Sequence, residues 1–351
     1  MTALERPLLQ SNAPVWNRLE PARQAGFQEV WYLKVNDPAT HRALWLRFTL
    51  LSSSNGFRRV SEVWALSFSR NPETREVTKV ALKQTFELSS FSALQGKTEN
   101  ESGVRINTCE LTSRRTRGSV TSKGRTIEWD LTLQPTREGS FNLVPEGLSR
   151  SGIIRNQILT VGEDLRFSGT TTIDGQTHSW EQAPGMQGHQ CGRNSGHSWA
   201  WGHCNAFVQE NGQPASFVFE GLTARARIAG AIPTPKLSSF YFNYQGRDYR
   251  FNSLWDAVHT RSQHTLNEWR FRAERGELSF RGTVTSEYRD FAGLTFEDTD
   301  GSLLYSANSK LSDMTVIVYR RGKLDATYKS RGTTAFEIVS RQRNPYVPLL
   351  V

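Results

Sequence analysis

The feature that most constrains the fold is a rhythm of glycine turns. Asn211-Gly212, Gln245-Gly246, Arg275-Gly276, Asp300-Gly301 and Arg321-Gly322 each separate two runs rich in β-branched and aromatic residues. A polar residue followed by glycine is what a two-residue hairpin needs, because the central positions take positive φ. Successive hairpins make an antiparallel meander, and closing it into a barrel buries it without leaving adhesive edges. Residues 310–320 and 333–339 would complete that barrel. The amino-terminal half repeats the pattern with strand-like runs at 29–33, 43–51, 62–68, 77–82 and 104–111. Further runs at 119–133 and 165–180 are broken at Lys123-Gly124 and Asp174-Gly175. Helical periodicity is confined to 253–266, so the expectation is an all-β protein.

Its 351 residues exceed what one core usually serves, so two β domains are expected. Pro184 and Gly185 in 181–187 suggest where they meet. The division is then an extended arm over 1–26, carrying Pro7, Pro14 and Pro21, a first domain over 27–184, a second over 185–345 and a tail over 346–351. Three cysteines, Cys109, Cys191 and Cys204, are too few for a disulfide framework and point to reduced thiols in a cytoplasmic setting. No run approaches 18 apolar residues and no signal-like segment opens the chain, so a soluble, non-exported protein is expected, with at most transient contact with a membrane surface. The net charge of +9 raises the question of nucleic acid. The basic residues are scattered over several segments, with no phosphate loop or zinc-finger spacing beside them. Solvated strand faces, or steering of an anionic small molecule, account for them better, and no nucleic-acid partner is expected.

One stretch, 188–207 (GHQCGRNSGHSWAWGHCNAF), is far more chemically loaded than any other. In an extended strand alternate side chains share a face. His197, Trp199, Trp201, His203, Asn205 and Phe207 then fall on one side, while Ser198, Ala200, Gly202, Cys204 and Ala206 leave the other nearly bare. Such a split suits the wall of a binding site backed closely by other parts of the chain.

This segment resembles one shared by the tocopherol cyclases, the carotenoid 1,2-hydratases and their AttH-like relatives. Phe27-Gln-Glu-Val-Trp-Tyr32 with Ala43-Leu-Trp-Leu-Arg-Phe48 is similar to the family's early signature. Phe296-Glu-Asp-Thr-Asp-Gly301 with Tyr305-Ser-Ala-Asn-Ser309 is similar to its late one. The resemblance implies two lipocalin-like β-barrels side by side and chemistry such as ring closure or addition of water across a polyene, without a cofactor. Fold does not fix reaction, and Cys191 stands where the family commonly has Trp.

Candidate residues follow from both readings. A metal is not expected: in a strand His203 and Cys204 point apart and His197 lies about 20 Å from His203, whereas ligands must meet at one ion. Acid–base chemistry is better supplied. A symmetric hairpin about Asn211-Gly212 sets His203 opposite Glu220, where a carboxylate would orient the ring and raise its pKa toward a proton donor near neutrality; a plain structural cross-strand pair is the alternative. His189, flanked by glycines at the family's recurrent polar position, is the other candidate acid, against a role in tying the interdomain segment to carbonyls. Trp199, Trp201, Cys191, Asn205, Trp31 and Tyr241 are the expected pocket residues. The functional expectation is a cofactor-independent cyclase or hydratase acting on a hydrophobic isoprenoid or polyene-like molecule at the domain interface. A non-catalytic carrier or sensor of such molecules is the alternative.

Overall fold

In this computed structural model, which describes residues 11–19, 24–95, 102–137, 139–145, 147–148, 154, 156–228 and 232–351, nearly all regular structure lies in two 12-stranded antiparallel sheets. The first sheet runs, in spatial order, Val77–Glu87, Arg59–Arg70, Arg42–Ser52, Phe27–Asp37, Gln176–Gly192, Asn156–Ile173, Arg125–Pro135 and Arg115–Ser122. It continues through Cys109–Thr112 and Gly103–Ile106 to Phe91–Leu94, with Phe141–Asn142 paired on Asn156–Ile173. The second runs Arg247–Phe251, Leu237–Tyr244, Phe217–Arg225, Ser198–Cys204, Lys323–Ser340, Leu303–Arg320, Leu278–Thr285, Glu268–Arg275 and Arg261–His264, with shorter strands attached. The glycines of all the turns named from sequence have positive φ, and Lys123, Asp174, Gln245 and Arg321, each just before its glycine, do too, as type I′ hairpin turns demand.

Each sheet curls around its own core. In the first, Trp31, Leu33, Leu46, Phe48, Trp129 and Phe167 meet. In the second, Phe242 stacks on Phe280 at 4.3 Å and Phe219 on Phe271 at 5.0 Å. The partners sit on strands far apart in the ladder, so the sheet has wrapped onto itself. Burying each such ring is worth about 1.5–3 kcal/mol, and stacking adds about 0.5–1.5 kcal/mol. The expected all-β, lipocalin-like pair of domains is therefore present, with barrels that are only partly closed. Among the described residues the end strands of each sheet keep a single ladder neighbour.

Three local expectations are corrected. The strand Gln176–Gly192 runs unbroken through 181–187, so the change of sheet comes after Gly192 and not at Pro184-Gly185. Gly185 reflects crowding: a Cβ there would lie 2.2 Å from the Lys34 carbonyl oxygen and 2.5 Å from the Phe167 ring. The helix is shorter than 253–266. A capping box between Ser253 and Asp256 starts it, it covers Leu254–His259, and Arg261–His264 pairs as a strand with Glu268–Arg275. The arm, of which residues 1–10 and 20–23 lie outside the described residues, does not simply lie over the fold. Its Trp16–Arg18 turn and Asn12 are packed into the first barrel, with the Trp16 ring 6.0 Å from Phe27.

The strands Phe27–Asp37, Arg42–Ser52 and Arg59–Arg70 are buried on both faces, because their outer side meets the second sheet. Trp45, Trp64 and Phe68 pack there against Leu294, Phe296 and Leu311. Polar groups stitch the same seam. Asn36 donates to the Lys310 carbonyl at 2.7 Å, and Arg70 donates to the Leu311 carbonyl at 2.7 Å and pairs with Asp290 at 3.0 Å.

Candidate functional site: a cavity between the two sheets

Strand alternation builds the site. On Phe27–Asp37 the side chains of Glu29, Trp31 and Leu33 enter the first barrel, so Gln28, Val30 and Tyr32 must face the second sheet. On Ser198–Cys204 the inward residues are Ala200 and Cys204, and Trp199 and Trp201 face the first sheet. The bare side of that strand is enforced by contact: a Cβ on Gly202 would stand 3.2 Å from the Trp269 ring and 3.0 Å from the Ala335 carbonyl oxygen. Between the two faces lies a cavity of about 590 Å³, walled by Tyr32, Trp45, Trp199, Trp201, Leu222 and Phe296. Such a volume suits a drug-sized apolar molecule. Cys191 lines it as well, beside Gln190, and Arg193 and Arg225 stand among its lining residues.

Behind the Tyr32–Trp201 wall, whose rings meet edge to face at 5.8 Å, two carboxyls are buried together. Glu220 accepts from Thr160 Oγ1 at 2.6 Å and from Trp201 Nε1 at 3.0 Å. The Glu163 carboxyl is buried close enough to Glu220 for the two to titrate against each other. Neither Glu163 oxygen receives a bond from any N–H or hydroxyl donor among the described residues, an environment that favours the neutral acid. Burial, followed by the Glu220 charge, pushes the Glu163 carboxyl well above the usual carboxylate range, and burial raises Glu220 also. Burial and the neighbouring Glu220, Glu337 and Glu163 keep the Tyr32 phenol neutral, with only Thr160 acting the other way. Glu163 also borders a small surface cleft with Arg137, Asp248 and Arg250.

The opposite wall holds Glu337, which accepts from Trp199 Nε1 at 3.1 Å and Asn308 Nδ2 at 2.6 Å. Asn308 in turn accepts from Lys310 Nζ, an amine 5.3 Å from the Trp45 ring centre and 5.5 Å from that of Trp201. Burial brings Lys310 down to about 7 and Lys34 down to about 8.

The sequence-derived candidates divide sharply. Trp199, Trp201 and Cys191 line the cavity. Trp31 does not, because alternation turns it into the first barrel, where it stacks on His189 at 4.6 Å and donates to the Asn12 carbonyl. His189 is on that same inner side. Its Nδ1 donates to the Ser11 carbonyl at 2.8 Å and its Nε2 meets Glu29 at 2.8 Å, fully buried. Asn205 ties the sheets together through Asp164 and the Gly185 carbonyl. Tyr241 donates to Asp248 beside the surface cleft, away from the main cavity.

His203 does stand opposite Glu220 in the ladder, yet its Nε2 donates to the Glu163 carbonyl at 2.8 Å. The Glu163 carboxyl lies 3.9 Å from that nitrogen, too far for a hydrogen bond. Burial and Lys34 hold the ring well below its ordinary pKa, so the expected raised imidazole is corrected to a neutral one. Sequence reasoning passed over Tyr32, Arg47, Glu163, Lys310 and Glu337. A charge inside the apolar run 43–51 was the available signal for Arg47, whereas nothing local marked Glu163. Among the described residues no three His, Cys, Asp or Glu gather as metal ligands, and no helix is long and apolar enough to cross a membrane.

Two curled lipocalin-like sheets side by side over the whole chain define the class: this is the fold of the AttH-like proteins. In particular, the chain is similar to an AttH-like protein of Nitrosomonas europaea, at 13% identity and TM-score 0.50, covering 96% of this chain and 99% of that one. It is similar also to kievitone hydratase of Nectria haematococca, at 11% identity and TM-score 0.52 over 97% and 94% of the two chains. CghA matches at 9% identity and TM-score 0.56 over 98% and 96%. In sequence, an uncharacterized protein of Mycobacterium tuberculosis is 21% identical over 290 residues, 83% of this chain and 80% of that protein. No protein-family model matches the chain.

Proposed function

We propose that the protein is a cofactor-independent enzyme that holds a hydrophobic, isoprenoid or polyene-like molecule between its sheets and promotes its hydration or cyclisation. One neighbour in fold carries the name of a hydratase, which supports the reaction class. The observation that carries the reading is Glu220, bonded to Thr160 and to Trp201 of the cavity wall, with the Glu163 carboxyl buried beside it at the edge of the surface cleft. In this mechanism the neutral Tyr32 hydroxyl donates to a substrate oxygen at which negative charge develops. A proton passed on is replaced from Glu163 by way of Glu220 and Thr160, and Glu163 recovers its own through the cleft. Trp199 and Trp201 present ring faces worth about 0.5–2 kcal/mol each toward a developing cation. Confining a flexible chain in a reactive shape removes several kcal/mol more of the barrier. A cytoplasmic location belongs to the same proposal, in keeping with three cysteines that are all buried.

A carrier of hydrophobic molecules is the second reading, favoured by one observation: both carboxyls stand behind the wall and neither is among the residues lining the main cavity. Native mass spectrometry of freshly purified protein, followed by incubation of any recovered ligand with wild type, Tyr32→Phe and Glu163→Gln, separates the two. An enzyme converts the ligand and loses rate in both variants while keeping affinity. Recovery of unchanged ligand in every case would leave the carrier.

A further inference from the structure

Arg47 is a cavity-lining cation whose chemistry the proposed reaction leaves unused. It comes from the strand Arg42–Ser52, lines the cavity beside Trp45, and is 7% exposed. Its Nε donates to Thr49 Oγ1 at 3.0 Å, and its guanidinium lies over the Phe296 ring at 4.2 Å, with Trp64 at 5.5 Å. These contacts fix the plane and direction of the fork. Among the described residues neither Nη1 nor Nη2 has a hydrogen-bond partner. The nearby acids are engaged elsewhere. Glu62 takes bonds from Trp64 Nε1 and Thr85 and pairs with Arg58 and Lys83, and Glu337 is held by Trp199 and Asn308.

The outer donors of this largely buried cation open onto the cavity, where an oxygen partner is held more strongly than it would be in bulk water. Burial lowers the pKa of the guanidinium from the usual value. The guanidinium fork matches a planar pair of oxygens, which two parallel N–H groups bind together. Arg193 and Arg225, also among the lining residues, add a positive field that draws anions toward the cavity.

We propose that Arg47 is the anchor for a planar oxyanion, a carboxylate in the simplest case, at one end of an otherwise apolar ligand. This inference rests on the cavity being the ligand site, as the proposed function has it. The ligand is then an amphiphile: its head takes the Arg47 fork, and its body lies along Trp45, Trp199 and Trp201 with the Tyr32 hydroxyl beside it. The anchor sets which atom of the body meets that hydroxyl.

The test uses a matched pair of probes, cis-parinaric acid and its methyl ester, with binding followed by energy transfer from tryptophan. Wild type is expected to bind the acid at least tenfold more tightly than the ester. Arg47→Met should abolish that preference while leaving ester affinity within about twofold, with Arg47→Lys intermediate. Leu222→Trp, which fills the cavity, should weaken both probes together. Equal binding of acid and ester by wild type, or a preference surviving in R47M, would overturn the anchor alone. Should R47M fail to fold, a preference undiminished in R47K overturns it equally. Failure of wild type to bind either probe, or probe binding indifferent to L222W, would overturn the cavity reading and the anchor with it.

Discussion

His203 and Glu220 face each other across paired strands, but the imidazole donates past the carboxylate to the backbone carbonyl of Glu163. With Nε2 as donor and Nδ1 without a partner among the described residues, the ring is held as one neutral tautomer. Its pKa is depressed by burial and by Lys34, so the unfolded chain takes up the proton first. The residue's contribution to stability is intact above the ordinary value of 6.5 and is lost as pH falls below it. Nitrogen-detected NMR should show an Nε2-protonated ring that stays neutral as pH falls through the ordinary value of 6.5. A midpoint near 6.5 would contradict the geometry.

The carboxyl pair behaves in the opposite sense. Glu163 and Glu220 both have raised pKa values, so the native state holds a proton that the unfolded state releases above the ordinary 4.5. Stability from the pair is full below that value and declines as pH climbs toward the raised ones. Glu163→Gln preserves a neutral donor to Glu220 and removes the titration. Its melting temperature relative to wild type should therefore rise steadily from acid to alkaline pH. Infrared spectra of wild type at neutral pH should contain a protonated-carboxyl band that E163Q lacks.

How far the sequence could be read differs between fold and site. Turn dipeptides such as Gln245-Gly246 and Arg321-Gly322 act locally, through backbone conformations that few residues adopt, and so the hairpins were legible. The His203–Glu220 pairing agrees with the expectation although its premise does not hold: beside Asn211-Gly212 the chain pairs Phe207 with Ala215, one residue off a symmetric hairpin, and an offset before Cys204 and Phe219 restores the register. The orientation of Trp199 and Trp201 followed from alternation along a single strand. The placement of His189 was not legible because its partners, Ser11 and Glu29, come from the arm and from the strand Phe27–Asp37, and nothing in 188–207 says which side of the sheet is the barrel. Glu163 and Glu220 meet only because the two sheets pack together. Their strands, Asn156–Ile173 and Phe217–Arg225, belong to different sheets, so no local spacing could reveal the pair.

Lys310 provides a second pH signature. Burial outweighs the attraction of Glu337 and brings the amine pKa down to about 7 from the ordinary 10.5. Across that interval the unfolded chain binds a proton that the native protein does not, and stability rises with pH. Replacing the amine with an apolar group of similar length, Lys310→Met, removes this slope. The melting-temperature difference, wild type minus K310M, should increase between about pH 7 and pH 10 and be flat below. Denaturation scans across that range in matched buffers decide it, and a difference independent of pH would mean that the amine stays charged in the folded protein.

His189 lies inside the first barrel, away from the cavity, and the phenotype expected of its removal is a loss of stability. Its ring closes the first barrel by joining the Ser11 carbonyl, Glu29 and the face of Trp31, while Glu29 also accepts the amides of Val15 and Trp16. Removing the ring strands a buried carboxyl and frees the described part of the arm, at a cost of about 3–5 kcal/mol. His189→Ala should thus shift the urea midpoint strongly downward. The cavity wall is untouched by the change, since Gln190 and Tyr32 face the other way. At temperatures where H189A remains folded, its affinity for a cavity ligand should match wild type within about twofold, while Tyr32→Phe should show the reverse pattern, with normal stability and impaired turnover. A His189→Ala protein that is as stable as wild type yet inactive would return the histidine to the chemistry.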